Sequence, residues 1–171
     1  MTKQLRFLSL AGILTALSIA LDVLVKQVIP AADFGLPYYA IPLIIGGIVL
    51  GPIYGALMGL VSDNVGFILF VRGGYNPLFS LSAIIWGFLP GLLLNKKSSH
   101  LRIGIVLTIT HILASLLNTF ALFMVVNLDY AIGSLSLRLP MIPVNIAILS
   151  IVTVILNKRL MPVYEDFLLE K

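Results

Sequence analysis

Hydrophobic residues run in long stretches separated by short polar islands, and six of these stretches approach membrane-crossing length. A helix of about 20 apolar residues covers the hydrocarbon of a bilayer. The stretches are 5–29, 37–50, 52–71, 77–94, 101–126 and 139–157. They predict an all-α polytopic membrane protein, six transmembrane helices in a single domain spanning 1–171. The second stretch is short and opens with Pro37 and Pro42, which predicts an oblique or broken helix. Pro30, Pro52, Pro77 and Pro140 stand at or near helix starts, where a missing N–H costs nothing. Pro90 lies inside the fourth stretch and predicts a kink. The first stretch, preceded by Lys3 and Arg6, is too long for the apolar core of a signal peptide and has no small-x-small site behind it. It reads as a retained first helix, interrupted by Asp22 and Lys26 near its far end.

Composition sharpens this picture. Of 171 residues 60% are hydrophobic and 11% charged, against about half and about a quarter in a soluble domain. With a mean hydropathy of +1.10, a water-soluble core is excluded, and so are disorder and a secreted disulfide scaffold. Cysteine is absent, so no disulfide, thiol nucleophile or thiolate metal site exists. The net charge of +4 does not gather into a nucleic-acid patch, because the basic residues are spread between the apolar runs. The partner they imply is the lipid bilayer.

Their distribution predicts an orientation. With an even number of crossings, Lys3, Arg6, Lys96, Lys97, Arg102, Lys158, Arg159 and Lys171 share one side, and Lys26, Arg72 and Arg138 the other. The richer side is cytoplasmic by the positive-inside rule, which puts both termini inside. The outer loops are then 30–36, 72–76 and 127–138. Three cations left outside break the rule and call for a reason.

Several polar residues sit within the spans. Asp63, in Val61-Ser62-Asp63-Asn64-Val65-Gly66, costs roughly 2.5–3.5 kcal/mol to place in a membrane and faces a cavity or a partner. Two readings are open: an acceptor for a polar ligand entering from outside, or an internal pair with Lys26 or a Ser/Asn cluster. In the fifth helix Thr108, His111, Ser115 and Asn118 share one face. His111 reads as structural and Asn118, nearer the outer end, as the better ligand candidate. The outer loop Arg72-Gly73-Gly74-Tyr75-Asn76-Pro77 offers a guanidinium fork, a flat ring and an amide, or is a plain turn into the next helix. Arg138 is expected to open the sixth helix from outside.

Small residues recur at helix-contact spacing: Gly12, Ala16 and Ala20 in the first helix, Gly55, Gly59, Ser62 and Gly66 in the third, Ser80, Ala83, Gly87 and Gly91 in the fourth. The latter two stripes read as packing within the subunit. Walker, HExxH and G-x-S-x-G sequences are absent, and His100 and His111 lie far apart. An enzyme reading, with His111 and Asp63 as acid and base, has little support. A ligand-free assembly protein is a further alternative.

The stretch Leu50-Gly51-Pro52-Ile53-Tyr54-Gly55-Ala56-Leu57-Met58-Gly59-Leu60-Val61-Ser62-Asp63, followed by Gly74-Tyr75-Asn76-Pro77-Leu78-Phe79-Ser80-Leu81-Ser82-Ala83, resembles the substrate-binding S components of energy-coupling-factor (ECF) vitamin importers. Within them the chain is most similar to the folate-specific S components, which carry G-P-x-x-G, S-D-x-x-G and an aromatic-x-P-x-F-x-L-S segment. The resemblance implies a vitamin held near the outer face of a bacterial plasma membrane protein, under loops after the first, third and fifth helices. It implies partners too: one membrane scaffold subunit, docked on Gly12, Ala16 and Ala20, and two ATPases whose work topples the subunit to release ligand inside. No catalysis, cofactor or metal belongs to such a chain itself.

Folate suits the residues. The pterin edge carries N–H donors for Asp63, with Asn64 or Asn118 as candidate neighbours. Tyr39, Phe67, Tyr75, Phe79 and Trp86 offer flat faces to its rings. Its dianionic tail suits Lys26, Arg72 and Arg138. A queuosine precursor shares such an edge but lacks the tail, and is the alternative ligand.

Overall fold

A computed structural model describes residues 3–28, 36–69 and 76–169. Seven α-helices and one 3₁₀ turn make up these residues. They are α1 (Lys3–Val28), α2 (Ala40–Leu50), α3 (Pro52–Leu69), α4 (Leu78–Leu93), α5 (His100–Val125), α6 (Leu128–Arg138) and α7 (Ile142–Leu169), the last two joined by the 3₁₀ turn Leu139–Met141. Arg6 Nη1 donates to the Phe167 carbonyl at 3.0 Å, so the two ends of the described chain meet at one end of the bundle.

The burial pattern is that of a protein solvated by lipid. Leu8, Ile13, Leu24, Ile53, Ile68 and Leu101 are exposed, whereas Ser18, Thr110, Asn145 and Thr153 are fully buried. An outer surface this apolar is unstable in water and suited to a bilayer. Among the described residues four stretches are long and apolar enough to cross a membrane: Gln4–Val28, Pro52–Leu69, His100–Val125 and Leu128–Leu160. Helix α2, with 11 residues, is about 16 Å long at 1.5 Å per residue, shorter than hydrocarbon about 30 Å thick, and the non-helical segment 36–39 leads into it. Every residue from Pro42 to Leu50 is buried. It is a central plug within the bundle, which explains why its sequence is apolar on all sides.

A glycine seam locks α2, α3 and α4 together. A Cβ built on Gly47 would collide with the Gly87 carbonyl, one on Gly55 with Gly87, and one on Gly59 with the Ala83 carbonyl. Backbone against backbone is the closest packing helices achieve in lipid, where no hydrophobic drive operates between them. The stripes of the third and fourth helices are therefore internal packing. Gly51, at φ +97°, reverses the chain between α2 and α3 in a conformation that suits glycine, and Pro52 follows as the first residue of α3. Pro90 lies within α4, and the helix continues past it to Leu93.

One expectation needs correction. The stretch 127–138 is not an outer loop but a helix. Asn127 caps it by accepting from Tyr130 N at 2.8 Å, and Ala131, Ser134 and Arg138 are buried along one face, at the spacing of a helix stripe. Helix α6 packs on α5, and with the 3₁₀ turn and α7 it forms the return arm of a helical hairpin. Arg138 consequently does not open the sixth span at its outer edge. It lies almost three turns inside it.

Candidate functional site

A cavity of about 180 Å³ lies where the C-terminal part of α1, the 36–39 segment, α4, α5 and α6 converge. Asp22, Val25 and Lys26 form one wall, Leu36, Pro37 and Tyr39 a second, and Trp86, His111, Ala114, Ser115, Asn118 and Arg138 the remainder. Each element delivers its residues by helical spacing. Asp22 and Lys26 are one turn apart and form an ion pair, and His111, Ser115 and Asn118 climb one face of α5.

The wall mixes both charges with flat apolar surface. Lys26 leans outward with 42% of its side chain exposed, against 17% for Asp22. Arg138 is buried at 8% exposure and donates Nη2–H to Ser134 Oγ at 2.7 Å. Trp86, 2% exposed, sets its ring edge-on to His111 at 5.4 Å and 71°. His111 Nδ1 is 3.2 Å from Ser115 Oγ, and its Nε2 is 3.2 Å from Asn145 Nδ2. Tyr39 is anchored through its backbone: its carbonyl accepts from Ser18 Oγ at 2.8 Å.

Of the residues singled out in the sequence, Lys26, Tyr39, Trp86, Asn118 and Arg138 are brought together on this wall. Asp63, Asn64, Phe67, Asn76 and Phe79 are not on it, and Arg72 and Tyr75 lie outside the described residues. Asp63 accepts from Ser80 Oγ at 2.6 Å, and Asn64 Nδ2 lies 3.3 Å from the same hydroxyl. This is a Ser/Asn cluster in the α3–α4 contact, within electrostatic reach of Lys26 and Asp22. Asn76 caps α4 by accepting from Leu78 N at 2.9 Å. Gly12, Ala16 and Ala20 are all exposed on the outer face of α1, and nothing lies within 4 Å of a Cβ placed on Gly12.

Sequence reasoning passed over Asp22, treated as an interruption, read His111 as structural and gave Ser115 no ligand role of its own. The signal was present: both belong to the polar stripe that also holds Asn118.

A helical bundle with an apolar outer surface is the architecture of a membrane protein, and the size and mixed charge of this aromatic-walled cavity suit a small polar molecule. The chain belongs to the family described as "ECF transporter, substrate-specific component", whose profile matches residues 6–157. It is also similar to the folate transporter FolT of Clostridium novyi (strain NT), at 34% identity over 77 residues. That alignment covers 44% of this chain and 45% of the relative, so the chain spans less than half the length of the curated relative it matches. No solved structure gives a significant match.

Proposed function

We propose that the protein is the high-affinity folate-binding membrane subunit of an ECF importer. The observation that carries this reading is the cavity, which sets carboxylate, cations and two aromatic faces around one small space. At about 180 Å³ it is smaller than the ~300–1,000 Å³ that encloses a drug-sized ligand. It is a seat for one end of such a molecule. The pterin bicycle enters between Trp86 and Tyr39, and its amino and ring N–H groups face Asp22 on the wall. Arg138, buried at the wall, donates to the ring carbonyl, and Asn118 borders the same space. The benzoyl-glutamate tail runs outward to Lys26, whose side chain is 42% exposed.

The same reading places this end of the bundle outside the cell and both termini in the cytoplasm, following the excess of basic residues at the terminal end. Gly12, Ala16 and Ala20 form the docking face for a membrane scaffold subunit, which two ATPases energise and which topples the loaded subunit to release folate inside. Their exposure and small size support this role, because a partner helix approaches closely only where side chains are short. The test is the mass and absorbance of the molecule that copurifies in detergent. A pterin spectrum and a folate mass are expected. A deazaguanine ligand without a glutamate tail would overturn the assignment.

A further inference from the structure

Three side chains from two helices form a line that ends at the cavity. Asn145, fully buried on α7, points its amide Nδ2 at His111 Nε2, and His111 Nδ1 faces Ser115 Oγ. With the amide set this way round, its nitrogen donates and Nε2 is the acceptor, without a proton. A neutral imidazole then holds its proton on Nδ1 and donates it to Ser115 Oγ. With its oxygen already accepting, the Ser115 hydroxyl has its own proton left to give. Both His111 and Ser115 line the cavity. The Trp86 indole set edge-on against the imidazole at 5.4 Å restrains the ring plane, so the direction of the chain is held from three sides.

We propose that Asn145, His111 and Ser115 form a directional hydrogen-bond relay that turns Ser115 into a fixed donor, selecting a ligand with a carbonyl or carboxylate oxygen at that point. Asn145 is a positioning residue: it does not line the cavity and acts through His111. The Arg138 guanidinium, which only donates, lines the same cavity. Donors on one cavity wall favour an oxygen with its lone pairs and disfavour an amino group, which would leave buried donors facing donors. Assignment of that oxygen to the pterin carbonyl rests on the folate reading above; the direction of the relay does not.

The two arms of the test separate these. The chain has only two histidines, and His100 is exposed, so nitrogen-15 histidine spectra of the full-length protein in detergent give an internal reference. His111 is expected as the Nδ1–H tautomer. In Asn145→Asp, an isosteric change, a carboxylate draws the proton to Nε2, Nδ1 becomes an acceptor, and the Ser115 proton turns inward. Titrated with folate and pteroate, Ser115→Ala and Asn145→Asp should each weaken binding by about 2- to 12-fold, the worth of one neutral hydrogen bond. The double variant should lose no more than either alone. An Nε2–H tautomer in the unaltered protein, or losses that multiply in the double variant, would overturn the relay. Absence of folate and pteroate binding with the Nδ1–H tautomer in place would overturn the ligand and leave the relay standing.

Discussion

Arg138 and Lys26 both line the cavity, and their environments predict unequal contributions to binding. Arg138 is 8% exposed, enclosed by α5 and α6, whereas the Lys26 side chain is 42% exposed and already paired with Asp22. Arg138→Gln removes the charge and keeps most of the length. A hydrogen bond from a charged donor is worth about 1.5–3 kcal/mol, so a loss of roughly 10- to 150-fold in affinity follows. Lys26→Gln removes a cation that water and Asp22 largely compensate. Exposed pairs are worth about 0–1 kcal/mol, or at most about 5-fold. The two also differ in what they touch. The Arg138→Gln loss should be the same for folate and for pteroate, which lacks the glutamate. The Lys26→Gln loss should appear with folate alone and shrink as salt is raised. Trp86 is the only tryptophan, so quenching of its fluorescence on titration reads binding directly at the cavity wall. Equal losses in the two variants, or an Arg138→Gln loss confined to folate, would refute the placement of Arg138 against the ring.

Three further outcomes are expected. Gly87→Ala should lower the thermal midpoint in detergent sharply, because its Cβ would collide with the Gly55 backbone; overpacking of this kind costs about 1–3 kcal/mol or more, and an unchanged melting curve would count against the seam. With no native cysteine, Asp129→Cys should react with an impermeant maleimide in whole cells and Ser98→Cys should not; the reverse pattern would invert the topology. Ala16→Trp should abolish uptake in cells while the purified subunit still binds folate, and joint loss of both would show that α1 packs that face internally.

The long spans were legible because an apolar stretch of about 20 residues has few other uses. Two features were not, for physical reasons. Helix α6 was read as loop because Asp129, Ser134, Ser136 and Arg138 make its stretch polar, yet Ser134 and Arg138 turn inward onto α5. Hydropathy cannot tell a polar face buried against protein from one facing water. Asn127 as a cap with Asp129 in the first turn was the available helix signal. Asp63 was recognised as a carboxylate in need of a partner, but its partner, Ser80, lies 17 positions away on the next helix. Such pairings follow from helix rotation, which the glycine seam sets and a single sequence does not display.

The glycine seam also bears on how such a protein changes over time. The helices it fuses, α2, α3 and α4, contribute only Trp86 to the cavity wall. The other wall residues belong to α1, α5, α6 and the 36–39 segment, none of which has a glycine in that backbone contact. Substitutions that alter what the cavity accepts therefore fall on one set of helices, and those that endanger folding fall on another. A lineage can exchange one cargo for a different one by drift on α1, α5 and α6 while inheriting the same rigid half unchanged.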